Sequence, residues 1–150
     1  MPQIDQIDAR ILQELSSDGR LSNQMLAERV GLSASACLRR VQELERRGVI
    51  GGYRAVLDPV HTGRSYVVYV AVGLAEHTKR AQEAFEQQVA RAPEVAECHN
   101  IAGAFEYLLR VEAADMPAYK RFHTDVLGMI PSVRSITSYI VMSSPKDTRG

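Results

Sequence analysis

The sequence predicts an α+β protein, in which an N-terminal winged helix-turn-helix unit precedes a C-terminal ferredoxin-like βαββαβ sandwich. Three observations support this prediction. The first fifty residues hold three short runs of apolar residues at helical spacing, each beginning beside a capping side chain. The remainder alternates strand-like and helix-like segments in the order β-α-β-β-α-β. Turn-forming residues separate these two parts.

Asp5, Ser22 and Ser33 are the predicted N-caps of the three helices. The residues expected to face inward are Ile7, Ile11, Leu12 and Leu15 in the first helix, Met25, Leu26 and Val30 in the second, and Ala34, Leu38, Val41 and Leu44 in the third. Gly31 and Leu32 form a short turn before the third helix, which Gly48 ends. Two short helices joined by a glycine-containing turn indicate a helix-turn-helix, whose second helix reads DNA.

The segment after the third helix predicts a boundary between two domains. Residues 49–57 have the composition of a strand that could form a small wing, and Asp58-Pro59 and residues 61–63 are typical of turns. We therefore expect a DNA-binding domain over residues 1–52, a linker strand and turn over 53–63, a ferredoxin-like domain over 64–142 and a polar tail over 143–150.

In the second domain, β-branched and aromatic residues predict strands at 65–74, 95–101, 105–112 and 133–142. The middle two are expected to join at a tight turn, Ala102-Gly103-Ala104. One helix is predicted over 78–91, and Asp115 caps another. The residues predicted to face inward from these helices are Ala81, Ala84, Phe85, Val89, Tyr119, Phe122, Val126 and Ile130.

Charge and composition limit the classes of function. The 150 residues carry 18 basic and 18 acidic side chains, so the chain is not polybasic as a whole. Within residues 31–54, however, five arginines face two glutamates, a local charge of +3. The longest apolar run is too short to span a bilayer, and the N-terminus lacks the pattern of a signal peptide. We therefore expect no membrane association and a cytoplasmic protein, which its two separated cysteines also suit.

The third helix has the side chains of a DNA-reading helix on its predicted outer face. Serine hydroxyls and helix-end N–H groups suit phosphate oxygens, and arginine suits phosphate or the guanine edge. The residues predicted to contact double-stranded DNA are Asn23, Gln24, Ser33, Ser35, Ala36, Arg39, Arg40 and Arg46. The alternative is an ordinary solvated amphipathic helix, and the preceding helix and glycine turn favour DNA binding.

The stretch DGRLSNQMLAERVGLSASACLRRVQELERRGVIGGYRAVLDP (18–59) resembles the Lrp/AsnC family of leucine-responsive and asparagine-operon regulators. So do VAECHNIAGAFEYLLRVEAADMPAYKRF (95–122) and TSYIVM (137–142). The resemblance implies a helix-turn-helix, a connecting strand and a ferredoxin-like effector domain that dimerises through its sheet. It also implies further assembly into tetramers, octamers or larger rings, with an amino acid or related small molecule bound between dimers.

The glycine turn of the second domain is the expected effector site, because N–H groups around a glycine turn can hold a carboxylate. The resemblance adds residues of neighbouring strands, so the predicted lining is Asn100, Ala102, Gly103, Ala104, Phe105, Glu106, Tyr107, Thr137 and Tyr139. Similar sequences often carry Gly-Asp-aromatic-Asp-Tyr here. In this chain Ala104 replaces the first acidic residue, and Glu106 keeps the second with one more methylene, so a carboxylate that could bind the ammonium group of an amino acid is missing or relocated.

Three functional hypotheses follow. The first is a sequence-specific transcription regulator tuned by an amino acid or related metabolite. The second is a constitutive architectural DNA-binding protein whose effector pocket no longer works, which Ala104 favours. The third is a small-molecule enzyme, which the fold class permits. The sequence offers no convergent catalytic set, and we expect no cofactor or metal, since neighbours such as Glu97, Cys98 and His99 point to alternate faces of a strand. Cys37 is expected to be a packing residue, with a redox-sensitive thiol as the alternative.

Overall fold

The computed structural model describes residues 3–149, which form two compact units that divide between Ala55 and Val56. The N-terminal unit holds α1 (Gln6–Ser17), α2 (Asn23–Val30) and α3 (Ala34–Arg46). The three predicted caps are confirmed. The side chains of Asp5, Ser22 and Ser33 accept hydrogen bonds from the backbone N–H three residues later, at 2.8–3.2 Å. Gly31 ends α2 in a left-handed conformation with φ 76°, which glycine adopts without steric cost.

The inward face of α3 differs from the predicted one. Cys37 and Leu44 are fully buried and Val41 packs against them, whereas Leu38 is 46% exposed. The predicted stripe was right at Val41 and Leu44 and wrong at Ala34 and Leu38, where Cys37 faces the core instead, since a helix turns roughly 100° per residue. Both stripes fit the helical period, and the small Cys37 fits closer to α1 and α2 than Leu38. Met25 of α2, also predicted to be inward, is 48% exposed.

Residues 49–57 do not form the predicted strand. Val49 and Ile50 pack against the helical core, and the following residues are irregular. A strand exists only when its backbone pairs with a neighbour, and none of the described residues pairs with this segment. Val56, Leu57 and Val60 are consequently 66–71% exposed. Asp58 accepts hydrogen bonds from the N–H groups of the next turn, as its sequence predicts.

The C-terminal unit confirms the predicted order of strands and helices. Its elements are β1 (Tyr66–Leu74), α4 (Lys79–Ala90), β2 (Val95–Asn100), β3 (Tyr107–Ala113), α5 (Met116–Asp125) and β4 (Val133–Ile140). The strands form one antiparallel sheet in the order β2-β3-β1-β4, the ferredoxin-like arrangement. Thr78 and Asp115 cap the two helices. The predicted tight turn is instead a six-residue loop, residues 101–106, between β2 and β3.

One face of this sheet carries the hydrophobic core. Alternate residues of β1 and β3 are buried against α4 and α5, as expected for a sheet covered on one side. The largest buried side chains there are Phe85, Tyr107 and Phe122. No helix of the described chain covers the opposite face, which we call the outer sheet face; it carries Tyr69, Ala71, Leu108, Arg110, Thr137 and Tyr139. Residues 143–149 lie against Tyr69 and Arg110 at one end of this face. No helix among the described residues is long and apolar enough to cross a membrane.

Candidate functional site

The outward face of α3 displays Ser35, Arg39, Gln42 and Arg46, all of them exposed. Because Cys37, Val41 and Leu44 fix the buried side, these four residues lie opposite it. Ala36 is half-buried at the edge of this face. The Ser33 hydroxyl oxygen accepts from the Ala36 N–H and caps the helix, and it lies 3.4 Å from the Ser35 hydroxyl, where either group could donate.

The arginines of α3 and its C-cap differ in their hydrogen-bond and ion-pair partners; they are Arg39, Arg40, Arg46 and Arg47. Arg39 makes no ion pair with any residue in the described part of the chain and extends into solvent. Arg46 is engaged at the surface, where it donates to both carboxylate oxygens of Glu43 at 2.6 and 2.8 Å. This pair lowers the pKa of Glu43. Arg47 donates to the Gln3 carbonyl at 3.3 Å.

Arg40 is committed to the packing of α3 against α1. Its guanidinium donates to Asp5 at 2.6 Å and to Asp8 at 2.9 Å. Asp8 is the only buried polar or charged residue among the described ones, so Arg40 neutralises a carboxylate that would be costly to bury alone. The hydrogen bond from Arg40 also holds the pKa of Asp5 below its usual range. Within the chain Arg40 therefore has structural partners, and its contact with DNA stays a prediction.

The helix-turn-helix is also fastened at its N-terminal ends. The Asn23 side-chain amide donates to the Ala34 carbonyl at 2.8 Å and thereby joins the start of α2 to the start of α3. Asn23, predicted to contact DNA, is half-buried and thus also links α2 to α3. Gln24, beside it, is exposed. The apolar Leu38 and Met25 are exposed on this unit, and sequence reasoning missed both because it assigned them to the core.

The loop at residues 101–106 exposes Ala102, Gly103 and Ala104, while Phe105 is half-buried. Gly103 adopts an ordinary backbone conformation, and a methyl group added to it would meet nothing within 4 Å. Glycine is therefore not required here by the backbone of one chain. The three residues leave their N–H groups accessible at the edge of the sheet.

Glu106 is occupied within the chain. One carboxylate oxygen accepts from the Leu74 N–H at 2.8 Å, and the other lies 2.9 Å from His77 Nδ1. The Leu74 N–H is the main cause of the lowered pKa of Glu106. The register between β1 and β4 is irregular at Leu74. The Leu74 N–H therefore donates to the Glu106 side chain and not to the backbone of β4. The Glu106 carboxylate, considered as a partner for an effector ammonium group, therefore binds the backbone at the end of β1. We call this contact the Glu106 clamp.

Tyr107 belongs to the hydrophobic core and does not line a pocket. It is 1% exposed, its ring lies 4.6 Å from that of Phe85, and its hydroxyl donates to Glu86 at 2.6 Å. Burial raises the pKa of Tyr107 far above the usual tyrosine value. The prediction of Tyr107 as a lining residue is therefore wrong for a single chain, because alternation along β3 turns it toward the helices.

The remaining predicted effector residues lie far apart. Asn100 pairs with Tyr107 across β2 and β3, on the helix-covered face. Thr137 and Tyr139 pair with Ala71 and Tyr69 and lie on the outer sheet face. Since β2 and β4 are the two edges of a four-stranded sheet, about three strand spacings of ~4.8 Å separate them. One chain does not bring these residues together.

Sequence reasoning also missed Gly73. A side chain at this position of β1 would collide with the Ser135 hydroxyl on the paired strand β4. The only available signal was a glycine inside a strand pattern, which often marks a close approach of two backbones. Gly73 therefore leaves room for the Ser135 hydroxyl beside the carboxylate of the Glu106 clamp.

No described residues form a group of three side chains that could hold a metal ion. Glu97 and His99 lie on one face of β2, 3.1 Å apart, while Cys98 points to the other. Cys37 is fully buried, and its burial raises the thiol pKa, so the packing role of this residue is supported over a reactive one.

Comparison with known proteins identifies similar sequences in both units. Residues 4–50 match the model of the winged helix-turn-helix DNA-binding family, and residues 67–150 match the Lrp/AsnC ligand binding domain. The chain is 41% identical over 145 residues to a proline dehydrogenase transcriptional activator of Rhizobium radiobacter, covering 97% of this chain and 93% of the relative. It is equally similar to the leucine-responsive regulatory protein of Escherichia coli, with coverage of 97% and 88%.

Solved structures agree with these matches. A transcriptional regulator of Neisseria meningitidis, solved as a complex with L-methionine, superposes with a TM-score of 0.92. It is 36% identical in sequence, and the alignment covers 97% of this chain and 94% of the other.

Proposed function

The chain belongs to the Lrp/AsnC family of DNA-binding transcription regulators, and from this membership we propose that α3 reads DNA through Ser35, Arg39 and Gln42. The observation that supports this most directly is the outward face of α3, where Arg39 is exposed and forms no ion pair with any described residue. A free guanidinium keeps its full capacity for a phosphate or a guanine edge. The enzyme hypothesis is not retained, since the family consists of regulators.

The reading role of Arg39 is tested by measuring DNA affinity at several salt concentrations. Replacing one phosphate-binding arginine lowers the magnitude of the salt slope by about one and weakens binding to all sequences similarly. If Arg39 reads a base, the Arg39→Ala variant instead loses roughly 1–3 kcal/mol at one base position. The matched control is Arg80→Ala, an exposed arginine of the other unit. Unchanged affinity and slope in Arg39→Ala contradict the proposal.

We further propose that the chain works as a homodimer joined through the outer sheet face. On this face Tyr139 is 54% exposed and Leu108 is half-buried, and no described helix packs against them. The unpaired segment with Val56, Leu57 and Val60 adds a second exposed apolar surface. Exposed apolar surfaces of this kind are typical of interfaces. A dimer also presents two reading helices to successive major grooves, and further assembly to tetramers, octamers or larger rings is consistent with the family.

The effector site is proposed to form only between copies of the chain. Asn100 and Thr137 lie on the two opposite edge strands of the sheet within one chain, so a second copy must supply part of the lining. The Neisseria regulator was solved with L-methionine, which supports an amino acid as the class of effector. A ligand at such a seam changes regulation by binding one assembly state more tightly than another.

A constitutive architectural protein is the second candidate, and Glu106 favours it. Both carboxylate oxygens of Glu106 are engaged within the chain, and Ala104 offers no replacement. Calorimetry with a panel of amino acids, including L-methionine and L-leucine, separates the two candidates. Heat released or absorbed on binding of any amino acid supports the effector-tuned regulator. A protein that binds DNA but gives no heat with any amino acid supports the architectural protein. Either role places the protein with DNA in the cytoplasm.

A further inference from the structure

A cleft of about 390 Å³ lies at the end of the sheet remote from the loop at residues 101–106. Its walls come from the entries of β1 and β2, the exit of β3 and one side of α5, all within the C-terminal unit. Ala113, Ala114 and Ala118 leave room there because their side chains are small, and Phe122 and Val126 supply an apolar floor. This cleft takes no part in the function proposed above.

Glu94 has an incomplete set of hydrogen bonds in this cleft. Its carboxylate atom Oε2 is buried and has no hydrogen-bond partner among the described residues. Its backbone carbonyl, by contrast, accepts from the Glu112 N–H at 2.8 Å and holds the residue in place. A buried oxygen without a partner is unfavourable, more so when it is charged. A donor from a ligand would satisfy it.

Negative charge is concentrated where this cleft meets a second one. The second cleft continues along α5 to Met129 and Ile130, and the residues common to both are Pro93, Glu94, Asp125 and Val126. Two of these four are carboxylates. Three arginines also line the two clefts outside this junction: Arg64 lies 3.9 Å from Glu112, and Arg91 and Arg121 make no ion pair with any described residue. The junction of the two clefts is therefore suited to a cation.

We propose that the junction binds a small organic cation, a primary ammonium group on a short aliphatic chain. The ammonium donates to Glu94 Oε2 and is attracted by Asp125, while the aliphatic chain packs on Phe122 and Val126. Ammonium suits the position because its three N–H donors match carboxylate acceptors. Arg121 at the rim can hold a carboxylate, so the same chemistry admits either a free amine or a basic amino acid.

Calorimetry on the full chain tests the proposal with three probes: n-pentylamine, L-lysine and the neutral n-pentanol. We expect binding of at least one of the first two and none of n-pentanol. Glu94→Gln removes the charge and keeps the shape, so it should weaken binding by about tenfold or more, the effect of losing one charge-assisted hydrogen bond. Asp125→Asn provides a second, exposed position in case Glu94→Gln does not fold. Glu83→Gln, on an exposed part of α4, is the matched control.

The results with the three probes distinguish a free amine from an amino acid and also include results that overturn the proposal. Binding of n-pentylamine that Glu94→Gln weakens supports a free amine, whereas binding of L-lysine alone that also requires Arg121 supports an amino acid. No heat from either probe overturns the proposal, as does unchanged affinity in both Glu94→Gln and Asp125→Asn. Equal binding of n-pentanol overturns it too, because the site would then select only apolar surface. None of these results depends on DNA binding.

Discussion

Arg40 shows how the partner of one side chain decides its role. It lies one position from the free Arg39, yet it forms ion pairs with Asp5 and Asp8 of α1. Arg40→Ala should lower the thermal midpoint of the N-terminal unit, because it leaves Asp8 buried without its cation. Arg46→Ala should leave the midpoint near wild type, since its pair with Glu43 is exposed. Thermal unfolding of both variants checks this, and equal midpoints would show that Arg40 is not structural.

The pair of Arg40 with Asp5 also predicts a pH dependence. Arg40 lowers the pKa of Asp5 below its usual 3.8, so the stabilisation is complete above that pH and is lost as pH falls through the lowered pKa. Acid unfolding should therefore begin at a higher pH in Asp5→Asn, which keeps the capping oxygen but lacks the charge. Fluorescence- or dichroism-monitored acid titration measures this. Coincident titration curves for Asp5→Asn and wild type would contradict it.

The two cysteines should differ in reactivity. Cys37 is fully buried in the helical core, while Cys98 lies exposed on β2; burial raises the thiol pKa of both. A thiol reagent should therefore modify one cysteine of the native protein and two of the denatured protein, because access to the thiol differs between them. Cys98→Ser should abolish native labelling. Rapid labelling of native Cys98→Ser would falsify the burial of Cys37.

At the scale of elements, Gly73 of β1 leaves room for Ser135 on the paired strand β4. Gly73→Ala should destabilise the C-terminal unit by roughly 0.5–1.5 kcal/mol, the cost of forcing a side chain from its preferred rotamer, because the new Cβ displaces the exposed Ser135 Oγ. Ser135→Ala removes that oxygen, so the double variant should recover most of the loss. Gly103→Ala is the control, since its Cβ meets nothing within 4 Å. Denaturant unfolding measures all four free energies, and an absence of rescue would place the strain elsewhere.

The elements themselves were largely predictable, whereas the roles of several polar residues were not. N-caps depend on neighbours three residues away, so Asp5, Ser22 and Ser33 could be found from the sequence. The bonds from Arg40 to Asp5 and from Leu74 to Glu106 join residues 35 and 32 positions apart. Such partners depend on tertiary packing. The same limit explains residues 49–57, where strand composition alone provided no pairing partner.

At the scale of the whole molecule, the candidate functions depend on contacts between copies. The spacing of apolar residues within each strand predicts the sheet. It does not predict what covers the outer sheet face, because that spacing is the same whether or not a second copy packs there. The predicted effector residues lie on opposite edges of the sheet, and no described helix packs on the outer sheet face. Self-association of the chain would explain both observations. Assembly then links the two units functionally, since pairing the C-terminal units sets how many reading helices reach the DNA together.

Leu108→Arg tests this link. Leu108 is half-buried on the outer sheet face, opposite Ala71 and His99 on the neighbouring strands. An arginine there can remain solvated in a single copy but would place unpaired charges within a dimer interface, which is strongly unfavourable. Sedimentation should therefore show a smaller species with an unchanged dichroism spectrum. DNA affinity should fall by roughly 10²-fold or more with the lost avidity. Gln87→Arg on the exposed side of α4 adds the same charge and should change neither property. A dimer of Leu108→Arg with full DNA affinity would exclude the outer sheet face as the interface.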